Sequence, residues 1–457
     1  MKKRHNKIMH CNGIKRHALH LKRKHRTYNY DKISQESEQA NKERTKLCRA
    51  ISKGTRDTYL YDFGFYDELL IEPEIIIPED FRFIENYSIV NKFLKIIYSS
   101  LRSDLNEIII SFKYCDNISL PSVLILKSLI EGFRTEFRRL YSGKYGGLIV
   151  QPTIKFEPSK SRYVNQLLNA ADFHKMGISE TDPLMKPKLR FPFRHGAANR
   201  ISYTENTKSK ISDEMLRFLA ESLGRKGVGL TYTSSNKLSR MIGEILTNAE
   251  DHSIGKDWYV MGTLHEDGHG GTDDIGVFDF AILNYGDSIS KGIEKTSDSN
   301  SAQVAQLESL YSTILKINPK EKRERFNKSN LFTLFALQEG VSRLKYLSES
   351  RGTGTVNFIN AFMYLGSYVD VKNNHDPSLI IVSGDTMIKC DNEFKPFERE
   401  GATVLTLNKE QDLRVLPSDR HLKKLRTSFP GTLLSVRIYL SSKHFEQILK
   451  ENESRGN

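Results

Sequence analysis

Residues 244–252 read Glu-Ile-Leu-Thr-Asn-Ala-Glu-Asp-His. A Glu is followed by an Asn four positions later and by an Asp three positions after that. On a helix, positions three or four apart share a face, so Glu244, Asn248 and Asp251 form one polar stripe. The other face carries Ile242, Ile245, Leu246 and Ala249. A carboxylate and a carboxamide projecting from a buried helix are costly unless they serve a ligand. A magnesium–nucleotide site suits them. Asn248 offers an oxygen to a hard cation, and Glu244 can orient and deprotonate an attacking nucleophile. An amphipathic helix with polar caps is the plain alternative.

The segments that follow sharpen the choice. Trp258 to His265 is rich in β-formers, and a Gly/Asp loop then turns the chain. Val277 to Leu283 (VFDFAIL) reads as a buried strand. It runs into Asn284-Tyr285-Gly286-Asp287-Ser288-Ile289. Residues 290–350 form a long, polar, partly helical insertion ending in Arg351-Gly352-Thr353-Gly354-Thr355, and an apolar helix follows from Val356 to Leu365. Glycines opening a helix leave free backbone N–H groups at the positive end of its dipole, which suits phosphate. A strand at Ser378 to Ser383 comes next, and Pro430-Gly431-Thr432 leads into the alternating strand Leu433 to Leu440.

In this order the segments resemble the GHKL ATPases, the superfamily of gyrase B, the heat-shock-90 chaperones, the MutL proteins and the histidine kinases. The resemblance covers about residues 210–440. It implies ATP and Mg²⁺ as cofactors, with Asn248 as the metal ligand and Glu244 as the catalytic base. It places Asn248, Asp251, Asn284, Gly286, Ile289, Arg351, Gly352, Thr353, Gly354, Thr355 and Thr432 around the nucleotide, and makes 290–350 the ATP lid. The family's base-reading box is Asp-x-Gly-x-Gly-Ile. Here Asn284 stands at the Asp position and Ser288 at the second Gly. An Asn can still accept from an exocyclic amine, and it can also donate to a ring nitrogen. Asp279, earlier on the same strand, is the next acidic candidate.

The first half has another pattern. Residues 75–84 read as a strand into a turn, Ser88 to Leu101 as an amphipathic helix, and Glu107 to Phe112 as a short strand. A helix opens at Ser119-Leu120-Pro121-Ser122 and runs through Phe137, with Pro in the first turn, where its missing N–H costs nothing. Gly147 to Lys155 is a third strand and Arg162 to Ala171 a third helix. Strands alternating with helices imply a mostly parallel sheet. The order resembles a STAS domain, the fold of anti-sigma-factor antagonists. Those antagonists carry a phospho-acceptor Ser at a strand-to-helix junction in Asp-Ser-Ser-Gly. This chain has Ile118-Ser119-Leu120-Pro121-Ser122 instead, and Ser119 or Ser122 reads more simply as a helix cap.

The expected fold is therefore α/β and α+β: a STAS-like α/β domain followed by a GHKL (Bergerat) α/β sandwich, with a basic N-terminal arm. The expected boundaries are arm and linker 1–58, STAS-like domain 59–178, hinge 179–210, ATP-binding domain 211–442 and tail 443–457, with a short helix at Lys443 to Lys450. A chain of 457 residues accommodates two or three domains. Its apolar fraction of 38% suffices for globular cores. No apolar run approaches the ~20 residues of a membrane span, and no signal peptide is visible. Cys11, Cys48, Cys115 and Cys390 are scattered, which speaks against a disulfide framework and for the cytoplasm.

The net charge of +13 is concentrated. Residues 1–30 hold ten Lys/Arg, five His and no acid. Such an arm gains counterion-release energy on a phosphate backbone. Its nucleic-acid candidates are Lys2, Lys3, Arg4, Lys15, Arg16, Lys22, Arg23, Lys24 and Arg26; a solvated tail is the alternative. Cys11, His17, His20 and His25 do not reproduce a zinc-finger spacing.

Three functional classes stay open. One is an ATPase whose nucleotide state drives lid closure, dimerisation and partner binding. Another is a protein kinase, and the third is a nucleotide-binding module without turnover. Glu244, four residues before Asn248, resembles the GHKL ATPases and the anti-sigma-factor Ser kinases more than the histidine kinases. A STAS-like domain beside such a site favours a kinase acting on a partner protein. The basic arm and the long lid favour an ATP-gated switch on nucleic acid. By analogy with known domain fusions, bacterial defence is one setting for it.

Overall fold

The computed structural model describes residues 71–101, 103, 105–141, 152–173, 189–197, 207–266, 275–295, 301–338, 354–365 and 377–442. The basic arm, Arg351, Gly352, Thr353 and the expected tail helix lie outside the described residues. The described chain is a mixture of helices and sheets.

The first unit runs β1 (Glu74–Ile76), β2 (Asp80–Phe81), α1 (Tyr87–Leu101), β3 (Glu107–Ser111), β4 (Asn117–Ile118), α2 (Leu120–Tyr141), β5 (Thr153–Glu157) and α3 (Arg162–Ala170). Strands β1, β3 and β5 form a parallel sheet in that order, with Ile75 facing Ile110 and Ile110 facing Phe156. The helical spacing of Val90, Leu94, Ile97 and Leu101 puts all four in the core with no exposure.

The second unit runs β6 (Leu189–Ala197), α4 (Thr207–Gly224), α5 (Tyr232–Asp251), β7 (Ser253–Glu266), β8 (Ile275–Gly286), α6 (Ile289–Lys295), α7 (Ser301–Ile317), α8 (Lys320–Arg323), α9 (Lys328–Ala336), α10 (Gly354–Leu365), β9 (Ser378–Cys390), the small hairpin β10 (Phe397–Arg399) and β11 (Ala402–Val404), and β12 (Leu422–Ser441). Five strands pair antiparallel in the order β6-β7-β8-β12-β9. Helices α4, α5 and α10 pack together over one face. Among the described residues no helix is long and apolar enough to cross a membrane.

The other face of this sheet is covered by α2 and α3 of the first unit. Strand β8 explains how. It is apolar on both sides: Phe278, Phe280 and Ile282 enter the core under α4 and α5, while Ala281, Leu283 and Tyr285 enter the core shared with the first unit. A strand buried on both faces loses the polar alternation of a one-sided strand. Polar contacts complete the seam. Ser128 and Tyr285 share a hydrogen bond of 2.7 Å, Tyr87 donates to the Thr427 carbonyl at 2.8 Å, and Arg437 donates to Tyr163 Oη at 3.0 Å.

Two stretches of the expected layout bear comment, and the first differs from expectation. The expected hinge, 179–210, contains β6, the edge strand paired with β7. Its Pro192 and charged residues give it the composition of a loop. Proline is tolerated in a sheet only at an edge or bulge, and the β6–β7 register shifts between Phe191 and Arg194. Phe191 is buried against Phe218 and Phe280, which anchors the strand. In the other stretch, the partly helical insertion expected at 290–350, the described residues include α7, α8 and α9, and α9 is fixed to the sheet. The side chains of Asn327 and Ser329 donate to the Asp385 carboxylate, and Asn330 Nδ2 donates to Thr386 Oγ1 at 2.9 Å. A capping box between Asn327 and Asn330 starts α9.

Ser119 and Ser122 are buried. Both hydroxyls accept from Phe83 N–H, and Ser122 donates to the Phe81 carbonyl. They tie the segment after β2 to the start of α2.

Candidate functional site

Helix α5 starts at Thr231, whose hydroxyl accepts from Ser234 N–H as an N-cap. Leu238, Met241, Ile242, Ile245, Leu246 and Ala249 bury its apolar face. That burial fixes the helix's rotation and turns Glu244 and Asn248, one turn apart, toward a cleft between α5, α10, α6, α9 and the sheet. The cleft encloses about 900 Å³ of space, its open mouth included.

Six of the residues singled out in the sequence line this one cleft: Glu244, Asn248, Asn284, Ile289, Thr355 and Thr432. They come from five separate elements or junctions. Asn248 and Thr355 approach at 3.4 Å through Asn248 Nδ2, a long contact that leaves Oδ1 for a cation. On the floor, Asn284 lies opposite Thr432 across β8 and β12, and Thr432 lies opposite Ser383 across β12 and β9. The Thr432 and Ser383 hydroxyls are 2.9 Å apart, and Ser383 Oγ accepts from Ile289 N–H at 2.9 Å. Asn284 is 3% exposed, and its Nδ2 has no hydrogen-bond partner. A buried amide left unpaired costs free energy that a bound polar group can recover.

Close backbone approach shapes this floor. A Cβ at Gly431 would lie 2.1 Å from the Asn284 carbonyl oxygen, and Gly431 has φ of 149°. Only glycine lets β12 press against β8 at that point, and Thr432 follows directly.

The remaining expected residues fall elsewhere or outside the description. Asp251, the last residue of α5, and Gly286, at the end of β8, do not line the cleft. The odd spacing from Asn284 turns Asp279 to the opposite face of the sheet. There it receives a two-pronged ion pair from Arg437 at 2.7 and 2.9 Å. Gly354 opens α10. Arg351, Gly352 and Thr353 are not among the described residues.

The cleft also has walls that sequence reasoning missed. His252, the C-cap of α5, lines it one residue beyond the stripe. Ile293 of α6 and Ala336 and Leu337 at the end of α9 close one side with apolar surface. Ser383, buried behind Thr432 and hydrogen-bonded to it, lies outside every motif. Its signal was its place on a strand opposite a motif threonine, which only strand register reveals.

Among the described residues no cluster of three or more His, Cys, Asp or Glu could hold a metal. A magnesium ion here would rely on Asn248 Oδ1 together with water and phosphate oxygens, as this ion commonly does. Compared with family models, with curated proteins and with solved structures, the chain gives no match.

Proposed function

We propose that the second unit is a GHKL-type Mg-ATP site and that the protein is an ATPase acting as a nucleotide-gated switch. One observation carries this reading. Glu244, Asn248, Asn284, Ile289, Thr355 and Thr432 span nearly two hundred positions and converge on one cleft. Each comes from a segment that the family resemblance assigned to the nucleotide. The orphaned Asn284 amide, 3% exposed on the floor, supports a polar ligand at the base end.

The roles follow from position. Asn284 and Thr432 hold the base edge. Thr355, in the first turn of α10, stands at a helix N-terminus, where phosphate is favoured. Asn248 lends its carboxamide oxygen to Mg²⁺, which neutralises charge on the phosphates when bound. Glu244, one turn away, orients a water and takes its proton.

Phosphotransfer to a partner protein is the second reading. The first unit is itself a poor acceptor, because Ser119 and Ser122 are buried and the unit packs on the sheet face opposite the cleft. Incubation with γ-labelled ATP separates the classes. Label in free phosphate supports hydrolysis, label on protein supports a kinase, and neither leaves a binding module. Repeating the assay with DNA and with RNA tests whether the basic arm makes nucleic acid the trigger. Light scattering with and without ATP tests nucleotide-driven dimerisation.

A further inference from the structure

Asn284 on β8 and Thr432 on β12 lie side by side on the floor of the cleft, and Ser383 on β9, fully buried, stands behind Thr432 in the same row. Each of these groups both donates and accepts hydrogen bonds. Within this row the Thr432 and Ser383 hydroxyls share a hydrogen bond of 2.9 Å, and either oxygen can be its donor. Ser383 Oγ already accepts from Ile289 N–H, and its second lone pair and its hydrogen are both open to Thr432. Reversing that one bond switches the Thr432 hydroxyl from donor to acceptor toward the cleft.

The Asn284 carboxamide has the same freedom. Turning it by half a rotation exchanges its oxygen and its nitrogen. No partner holds Nδ2 in one orientation. Among the described residues the one carboxylate that lines the cleft, Glu244, stands on α5 beside Asn248 and not in this row. Among the described residues no side chain on the floor is a fixed acceptor.

We infer that this floor takes a 6-oxopurine as well as a 6-aminopurine. The inference rests on the nucleotide reading of the cleft and names its base class. A 6-amino group needs an acceptor, which Asn284 Oδ1 supplies. A 6-oxo group needs a donor, which Asn284 Nδ2 supplies after the amide turns. The adjoining ring nitrogen changes from acceptor to donor between the two bases, and the opposite end of the same amide, or Thr432, meets it in either form. A carboxylate at 284 lacks that freedom. It accepts only, so a carbonyl oxygen facing it would be left buried without a donor, a loss on the order of 10–100-fold in affinity.

Inosine diphosphate isolates the point, because it differs from adenosine diphosphate at position 6 and its neighbouring ring nitrogen, without the 2-amino group of guanine. Diphosphates also avoid turnover. The full chain with Mg²⁺ is loaded with a fluorescent ADP analogue, and displacement by ADP and by IDP is compared. The two constants are expected to agree within about threefold. Asn284→Asp is expected to weaken IDP relative to ADP on the order of 10–100-fold, with its thermal melt checked against the parent. Rejection of IDP by wild-type protein, about 30-fold or more below ADP, overturns the inference while leaving the nucleotide site intact. Failure of the fluorescent ADP itself to bind overturns the nucleotide reading and the inference together. The wild-type comparison decides the matter even if the variant does not fold.

Discussion

Ser128 and Tyr285 share a buried hydrogen bond of 2.7 Å between units far apart in the chain. Ser128 belongs to α2, and Tyr285 directly follows Asn284 on β8. Successive residues of a strand point to opposite faces. The same two residues therefore serve both sides of the sheet, Asn284 the cleft and Tyr285 the first unit. Phe429, which packs on Phe83 and Tyr285, repeats this on β12 three residues before Thr432.

Removing this bond tests whether the seam is part of one cooperative core. Ser128→Ala leaves the Tyr285 hydroxyl buried without that partner and is expected to cost about 1–3 kcal/mol of unfolding free energy. Urea denaturation reads it as a lower midpoint in a single transition. A two-step melt in the wild-type protein would show that the two units unfold separately.

Asn248→Ala removes the carboxamide oxygen offered to Mg²⁺. Calorimetry with Mg-ATP is expected to show binding lost, while the melt without nucleotide stays near the parent's, because Asn248 is only half-buried. Unchanged affinity would place the metal elsewhere.

Glu244→Gln keeps the shape of the side chain and removes its basicity. ATP is expected to bind as before while turnover drops on the order of 10²–10⁴-fold. Turnover at the parent's rate would reduce Glu244 to a structural residue of α5.

Gly431→Ala probes the close approach of β12 to β8. The added methyl would sit 2.1 Å from the Asn284 carbonyl oxygen, so the strands must part. A stability loss of about 1–3 kcal/mol and weaker nucleotide binding are expected together, because the strain lies between Asn284 and Thr432. Loss of stability with full nucleotide affinity would separate the floor from the strand contact.

The seam also makes stability depend on pH. Burial lowers the His265 pKa from 6.5 to about 4, against the attraction of Asp279 and with the help of Arg437. The unfolded chain therefore binds a proton at His265 that the native state refuses. Stability is at its full value above about pH 6.5 and falls as pH drops toward 4, by about 3 kcal/mol in all. His265→Gln removes this step. The slope between pH 6.5 and 4, measured by denaturation, is expected to be shallower in the variant; an equal slope would assign the acid sensitivity to other groups.

Much of this architecture was legible because period and order are local. The spacing of Glu244 and Asn248 against Ile245 and Ala249 identified both the helix and its polar stripe. The apolar run Val277 to Leu283, broken only at Asp279, marked a buried strand. Other features were illegible for equally physical reasons. Pro192 and its charged neighbours look like a loop, and only an edge position makes them a strand. Leu337 and Ser383 belong to no motif; the anchoring of α9 makes Leu337 a cleft residue, and the register of β9 on β12 puts Ser383 behind Thr432. Asp279 and Asn284 compete as base readers in the sequence, and strand pairing divides them between the two faces of the sheet. β6 apart, the sequence by itself determined most of the helices and strands and the polar residues they carry, because those follow from periodicity along the chain. The tertiary structure alone decided which of those residues meet, because pairing register and packing faces depend on partners more than a hundred residues away.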